Sequence, residues 1–145
     1  MRLVVQRVSC ASVSVSEKVI SSIDNGFLVL LGITGADTKT EADFLALKLS
    51  KLRIISDDHG KMNLSLPDAK GAMLIVSQFT LYGDVAGGNR PSFLSAARPE
   101  IAEPLYEYFV EKVKSLGIPV QTGQFGADMQ ISAELSGPVT ILMET

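Results

Sequence analysis

Tryptophan is absent from this chain, and cysteine and histidine occur once each, as Cys10 and His59. A single cysteine excludes an internal disulfide. One cysteine and one histidine also fall short of the ligand set of a structural zinc site, so no metal centre is expected. A Ser-His-Asp hydrolase has only His59 to use as its base. That residue lies in the turn-like cluster Ser56-Asp57-Asp58-His59-Gly60, with no sequence sign of an orienting partner. There is no GxSxG elbow and no glycine-rich phosphate loop. Apolar runs such as Phe27-Leu28-Val29-Leu30-Leu31 are far too short to cross a bilayer. Arg2 and Arg7 near the start are not followed by an apolar signal core or a small-residue cleavage site, so a cytosolic location and no membrane partner are expected.

An excess of basic charge is missing as well. The 13 Lys and Arg residues stand against 16 Asp and Glu, a net charge of −3. This counts against a general polyanion binder. A nucleic acid would be held through local geometry at the end of the molecule, not through a basic blanket. What is present describes an ordinary globular chain: 145 residues, 46% hydrophobic and 20% charged. That length fits one domain, residues 1–145, with room for a core. No repeat, linker or low-complexity stretch divides it.

Strand character marks residues 2 to 8 and 11 to 15, with Cys10 between them expected to pack as a small buried or half-buried side chain. Lys18 to Ile23 reads as another strand, Asp24-Asn25-Gly26 as a strong turn, and Phe27 to Ile33 as a fully apolar strand. A helix is expected to begin near Thr40, where Thr40 and Asp43 have capping-box spacing. Phe44, Leu45, Leu47, Leu49 and Leu52 then supply its apolar face. Leu52 to Ile55 reads as a short strand. A second helix follows Arg98-Pro99, with Leu105, Phe109, Val113 and Leu116 on one face and Gly117 as its stop. The tail from Val120 to Met143 reads as strands broken at Gly123, Gly126 and Gly137-Pro138. The sum is an α+β fold: a mixed or antiparallel sheet closing toward a β-barrel, with two main helices outside.

One stretch stands out. The apolar run Ala72-Met73-Leu74-Ile75-Val76 passes into Ser77-Gln78-Phe79-Thr80-Leu81, placing three polar side chains in four positions where a buried strand leaves the core. An unpaired buried hydroxyl or amide costs about 1–3 kcal/mol. This strand end is therefore either a hydrogen-bonded corner or a binding site. A second unusual segment is Gly137-Pro138-Val139-Thr140, where proline interrupts a ladder because it donates no N–H.

With SQFTL followed much later by GPVT, the chain resembles the D-aminoacyl-tRNA deacylases. The likeness extends over nearly its whole length. It includes Met1-Arg2-Leu3-Val4-Val5-Gln6-Arg7-Val8, Gly60-Lys61-Met62-Asn63-Leu64-Ser65-Leu66, Arg90-Pro91-Ser92-Phe93 and Phe125-Gly126-Ala127-Asp128-Met129. The resemblance implies cleavage of the ester of D-aminoacyl-tRNA at its 3′ acceptor end, without a cofactor, by a homodimer. It also implies a cis Gly137-Pro138 that reaches the partner's pocket and rejects L-amino acids. Within this reading the amides of Phe79 and Thr80 are the candidate oxyanion hole, and the Thr80 hydroxyl orients water or ester. Ser77 and Gln78 hold the terminal adenosine or the loop, Phe125 and Met129 line the pocket, and Arg90 is either a phosphate contact or a surface salt-bridge partner. Three departures are visible, the mildest being Ile141 and Leu142 after Thr140, where relatives often carry an aromatic or larger apolar residue and the apolar character is kept. Leu135 stands where relatives usually carry asparagine, and the segment from Gly83 to Asn89 has no Lys or Arg. Two other readings remain: a non-catalytic relative that binds RNA ends, and a small-molecule esterase or amidase using Thr80.

Overall fold

A 14-residue strand, β1 (Arg2–Val15), runs through the centre of the sheet. The computed structural model describes residues 1–145. Strands β2 (Lys18–Ile23) and β3 (Gly26–Gly32) both pair antiparallel with β1, along its second and first halves respectively. On its other side β1 pairs antiparallel with β8 (Gln130–Glu144), from Arg2↔Glu144 to Ser14↔Gln130. Beyond β3 lie β6 (Ala72–Ser77) and β7 (Val120–Thr122), both parallel additions. The result is a mixed six-stranded sheet that curls so that β2 also approaches β6 and β7. A separate small hairpin joins β4 (Ile55–Ser56) to β5 (Met62–Leu64). Two helices, α1 (Lys39–Ser50) and α2 (Pro99–Ser115), complete the α+β fold.

Alternation along the strands divides the apolar residues between two cores. Leu3, Val5, Phe27, Val29, Leu31, Met73 and Ile75 face the helices and join Leu45, Leu49, Phe109 and Val113. Val8, Leu28, Leu74 and Val76 point the other way, into the inside of the curl, with Ala11, Val13 and Ile23. The β3 strand is apolar throughout because both of its faces are covered.

Five local expectations are corrected. The two early strands are one, because β8 pairs across the join. The alternation slips there, where the ladder register shifts between Val8 and Cys10. Val8 and Ala11 stay inside while Ser9 and Cys10 both face solvent, so Cys10 is exposed rather than packed. Helix α1 begins earlier than Thr40. Thr38 is its N-cap, with Thr40 N donating to Thr38 Oγ1 at 3.2 Å and Thr38 N donating to Glu41 Oε2 at 2.7 Å. The buried stripe of α1 is Ala42, Leu45, Ala46 and Leu49, which leaves Phe44 and Leu47 off it and 53% and 44% exposed. The Lys48 ammonium covers the Phe44 ring at 5.4 Å. The expected strand over Leu52 to Ile55 reduces to Ile55–Ser56.

Candidate active site

β3 and β6 end side by side, and the site is built where they end. Gln78 N donates to Leu31 O at 2.8 Å, one step past the last ladder pair. The chain then winds into a single 3-10 turn, Phe79–Tyr82. Leu81 N bonds Gln78 O at 3.3 Å and Gly83 N bonds Thr80 O at 3.0 Å. The first amides of such a turn have no acceptor inside it, and Gln78 supplies no side-chain cap. Phe79 N–H and Thr80 N–H are therefore free donors, adjacent and fixed.

Several contacts hold this turn. A Cβ added at Gly32 would lie 3.0 Å from Leu81 Cβ and 3.2 Å from Gln78 O, so the turn sits directly on the end of β3. Arg2 Nη1 donates to Leu81 O at 2.5 Å, and its guanidinium lies 4.8 Å from the Tyr82 ring centre. Arg2 Nε is 2.6 Å from Glu144 Oε1 but lacks the angle for a hydrogen bond, so that contact is a plain ion pair. Gln78 Nε2 donates to Thr80 Oγ1, aligning the hydroxyl beside the free amides.

Next to the turn opens a cavity of about 610 Å³ with a mostly apolar wall. Ser77, Gln78 and Phe79 form one side, Phe93 and the stretch from Ala96 to Pro99 a second, and the segment from Phe125 to Met129 a third. Phe79 and Phe93 meet edge to face, with centroids 5.0 Å apart and an interplanar angle of 71°. Behind Phe125 stands Tyr106, 5.9 Å away, whose hydroxyl donates to Ile75 O at 2.8 Å. Burial pushes the Tyr106 phenol far above its ordinary range, which makes it a neutral prop for the wall.

Five of the residues singled out by sequence thus share one cavity: Ser77, Gln78, Phe79, Phe125 and Met129. Thr80 stands on the same turn, just outside the wall. Arg90 does not reach the cavity. It lies in the exposed loop closed by the Asp84–Ser92 bridge and makes no ion pair or hydrogen bond. Gly137 and Pro138 also lie elsewhere in the same chain. The ladder passes from Gln6↔Thr140 to Val8↔Leu135, so residues 136–139 bulge opposite the single Arg7. Arg7 Nε donates to Ser136 O at 3.1 Å and its Nη1 to Ile54 O at 2.7 Å. Gly137 has φ of 119°, and a Cβ there would come within 2.8 Å of Arg7 Nη2. The Gly137–Pro138 peptide is cis.

Phe93, Arg98 and Asp128 line the cavity, and Arg7 braces the Gly-Pro bulge, although the sequence reading gave none of them a role in the site. Phe93 and Arg7 fall inside segments that carry the resemblance, and that was their only signal. Arg98 was legible only as the residue before a helix. The wall has no Cys or His, and no group of three His, Cys, Asp or Glu side chains is placed to hold a metal. Neither the Ser77 nor the Thr80 hydroxyl is hydrogen-bonded to a carboxylate or imidazole, so the site holds no paired nucleophile and base. What it offers is a pair of fixed N–H donors, a held hydroxyl and an aromatic slot.

Comparisons with known proteins agree across the chain. The family model described as D-Tyr-tRNA(Tyr) deacylase matches residues 4–144. The D-aminoacyl-tRNA deacylase of Lacticaseibacillus casei is 54% identical over 145 residues, covering 100% of this chain and 98% of that protein. Its counterpart from Thermosipho melanesiensis is 55% identical, covering 100% and 97%. Among solved structures, the c-Myc DNA unwinding element binding protein superposes with a TM-score of 0.95 at 42% identity, covering 100% and 99%. A probable eukaryotic D-amino acid tRNA deacylase shares the fold, with a TM-score of 0.80 at 19% identity over 98% and 97%. With the matched family spanning nearly every residue from the first strand to the last, the chain belongs to the D-Tyr-tRNA(Tyr) deacylase family.

Proposed function

We propose that this protein is a cytoplasmic tRNA-editing hydrolase that cleaves the ester of D-aminoacyl-tRNA, releasing free D-amino acid and tRNA. The observation that carries this reading is the pair of unbonded amides, Phe79 and Thr80, at the edge of an aromatic cavity. An aminoacyl ester is already activated, so its hydrolysis needs placed water and a stabilised oxyanion more than a strong nucleophile. Water adds to the ester carbonyl, and the two amides take the developing negative charge. Collapse breaks the bond to the ribose oxygen, which leaves with a proton. The ribose 2′-hydroxyl next to it assists, as the resemblance implies. Thr80 Oγ1, held by Gln78, orients water or ester. The terminal base stacks among Phe79, Phe93 and Phe125, beside Met129.

Chirality is selected by exclusion. In this proposal Gly137-Pro138 comes from a second copy, since within one chain it lies outside the cavity wall. Two rigid carbonyls near the substrate α-carbon leave room for hydrogen and none for an L side chain. Glycine, lacking a side chain, is accepted as well. A second reading, binding of nucleic-acid ends without hydrolysis, draws on the name of the relative called a DNA unwinding element binding protein.

Deacylation of matched D- and L-tyrosyl-tRNA by the purified protein, against spontaneous hydrolysis, separates these. Loss of the D-form alone is the expected result, and glycyl-tRNA is expected to be cleaved too. Equal loss of both enantiomers removes the filter, and loss of neither leaves the binding reading. Glycyl-tRNA left intact while the D-form is cleaved contradicts selection by exclusion.

A further inference from the structure

The chain has five arginines, and three are engaged: Arg2 with Leu81 and Glu144, Arg7 with Ser136 and Ile54, Arg53 with Asn63. The guanidinium of Arg98 makes no ion pair and no hydrogen bond, yet it is the only cationic side chain in the cavity wall. Its backbone is fixed. Ala97 N donates to Ile33 O at 2.8 Å, and Thr34 and Ala96 form an isolated bridge. The Arg98 carbonyl accepts from Ile101 N at 3.0 Å and Ala102 N at 2.9 Å as α2 begins. A free charge on a pinned root at the mouth of an aromatic slot suits an anionic group on a ligand whose flat part fills the slot. Pro99 follows directly and has no amide to offer, so recognition there falls to the side chain. Asp128, the one acidic side chain in the wall, lies on the Phe125–Met129 segment and forms no ion pair with Arg98. It turns an anion away from its own side and toward Arg98.

We infer that Arg98 binds the 5′ phosphate of the terminal nucleotide whose base occupies the cavity. The choice of nucleotide rests on the deacylase reading. A terminal nucleotide carries its ester at one end of the ribose and its phosphate at the other. With the ester at the Phe79 and Thr80 amides, the phosphate projects away from them. The planar fork of a guanidinium matches phosphate oxygens two at a time. Arg98 thereby supplies the cationic contact that the Gly83–Asn89 loop, with no Lys or Arg, does not.

Equilibrium binding of adenosine 5′-monophosphate and of adenosine to the whole protein tests this without any turnover. The wild type is expected to prefer the monophosphate about tenfold, the worth of one charge-assisted contact. Arg98→Gln is expected to bind both alike, and Arg98→Lys to keep part of the preference. An unpaired, exposed side chain leaves the fold of these variants intact. Equal binding by the wild type, or binding of neither ligand, overturns the assignment. A preference that survives Arg98→Gln also overturns it. On D-tyrosyl-tRNA, Arg98→Gln is expected to raise KM and flatten its salt dependence by about 0.7 in log–log slope, one contact on a single strand. A wild type that shows the phosphate preference but hydrolyses nothing sinks the deacylase reading and leaves this one standing.

Discussion

Thr80 is the residue at which competing chemistries part. Its hydroxyl is held by Gln78 and makes no hydrogen bond to a carboxylate or imidazole that would activate it. If backbone amides carry the reaction, Thr80→Ala loses about tenfold in kcat, and Thr80→Ser is close to wild type. A direct nucleophile would cost far more, on the order of 10⁴–10⁶. Single-turnover rates on D-tyrosyl-tRNA decide between them, and a dead Thr80→Ser that folds and binds normally rules out the backbone account. Ser77, Gln78 and Thr80 were legible because polar side chains closing an apolar strand form a local pattern. Phe93 and Arg98 gave no such signal. They reach the cavity only because Ala97 bonds the end of β3, a contact between residues 64 apart (97 − 33).

Between the two helices a polar clasp replaces the cap that the sequence suggested. Thr40 and Asp43 have capping spacing, but Thr38 and Glu41 satisfy the same pattern two residues earlier, and local rules cannot choose between overlapping matches. Asp43 is thereby free to reach α2, where it accepts from Tyr108 Oη at 3.0 Å and pairs with Lys112 Nζ at 3.1 Å. Lys112 first, and then Tyr108, hold its carboxyl below the ordinary value of 3.8. The unfolded chain thus takes up this proton before the folded one does. The clasp contributes stability above about pH 4, and that contribution is lost as pH falls through the lowered folded value. Asp43→Asn is expected to melt slightly earlier than wild type at pH 7, with the gap closing as the medium becomes acid enough to protonate Asp43 in the folded state as well. A gap that is unchanged across that range in thermal melts contradicts the clasp. The break expected at Gly137-Pro138 did appear, as a four-residue bulge within one continuous strand. Its brace, Arg7, was invisible because the pairing of first and last strands cannot be read from either alone.

At the scale of the whole molecule, the chirality filter proposed above calls for a second chain. The cavity and the Gly-Pro bulge are both well formed but separate in one copy. Sedimentation equilibrium is therefore expected to give twice the chain mass of 15.5 kDa. A monomer that still discriminates D from L excludes a filter lent by a partner. The α+β class and the curl of the sheet were readable from strand lengths and the apolar β3. The order of strands was not, because β1 joins partners from both ends of the chain. That arrangement also bears on how the chain is made. β1 is translated well before β8, yet they pair along nearly their full length. Until β8 has left the ribosome, that edge of β1 carries a long row of unpaired N–H and C=O groups, an open template for another nascent chain. Arg2, Arg7, Ser9, Ser12 and Ser14 break up its apolar character and make that edge a poorer match for a stranger. Closing the sheet and silencing its stickiest edge are thus the same late event.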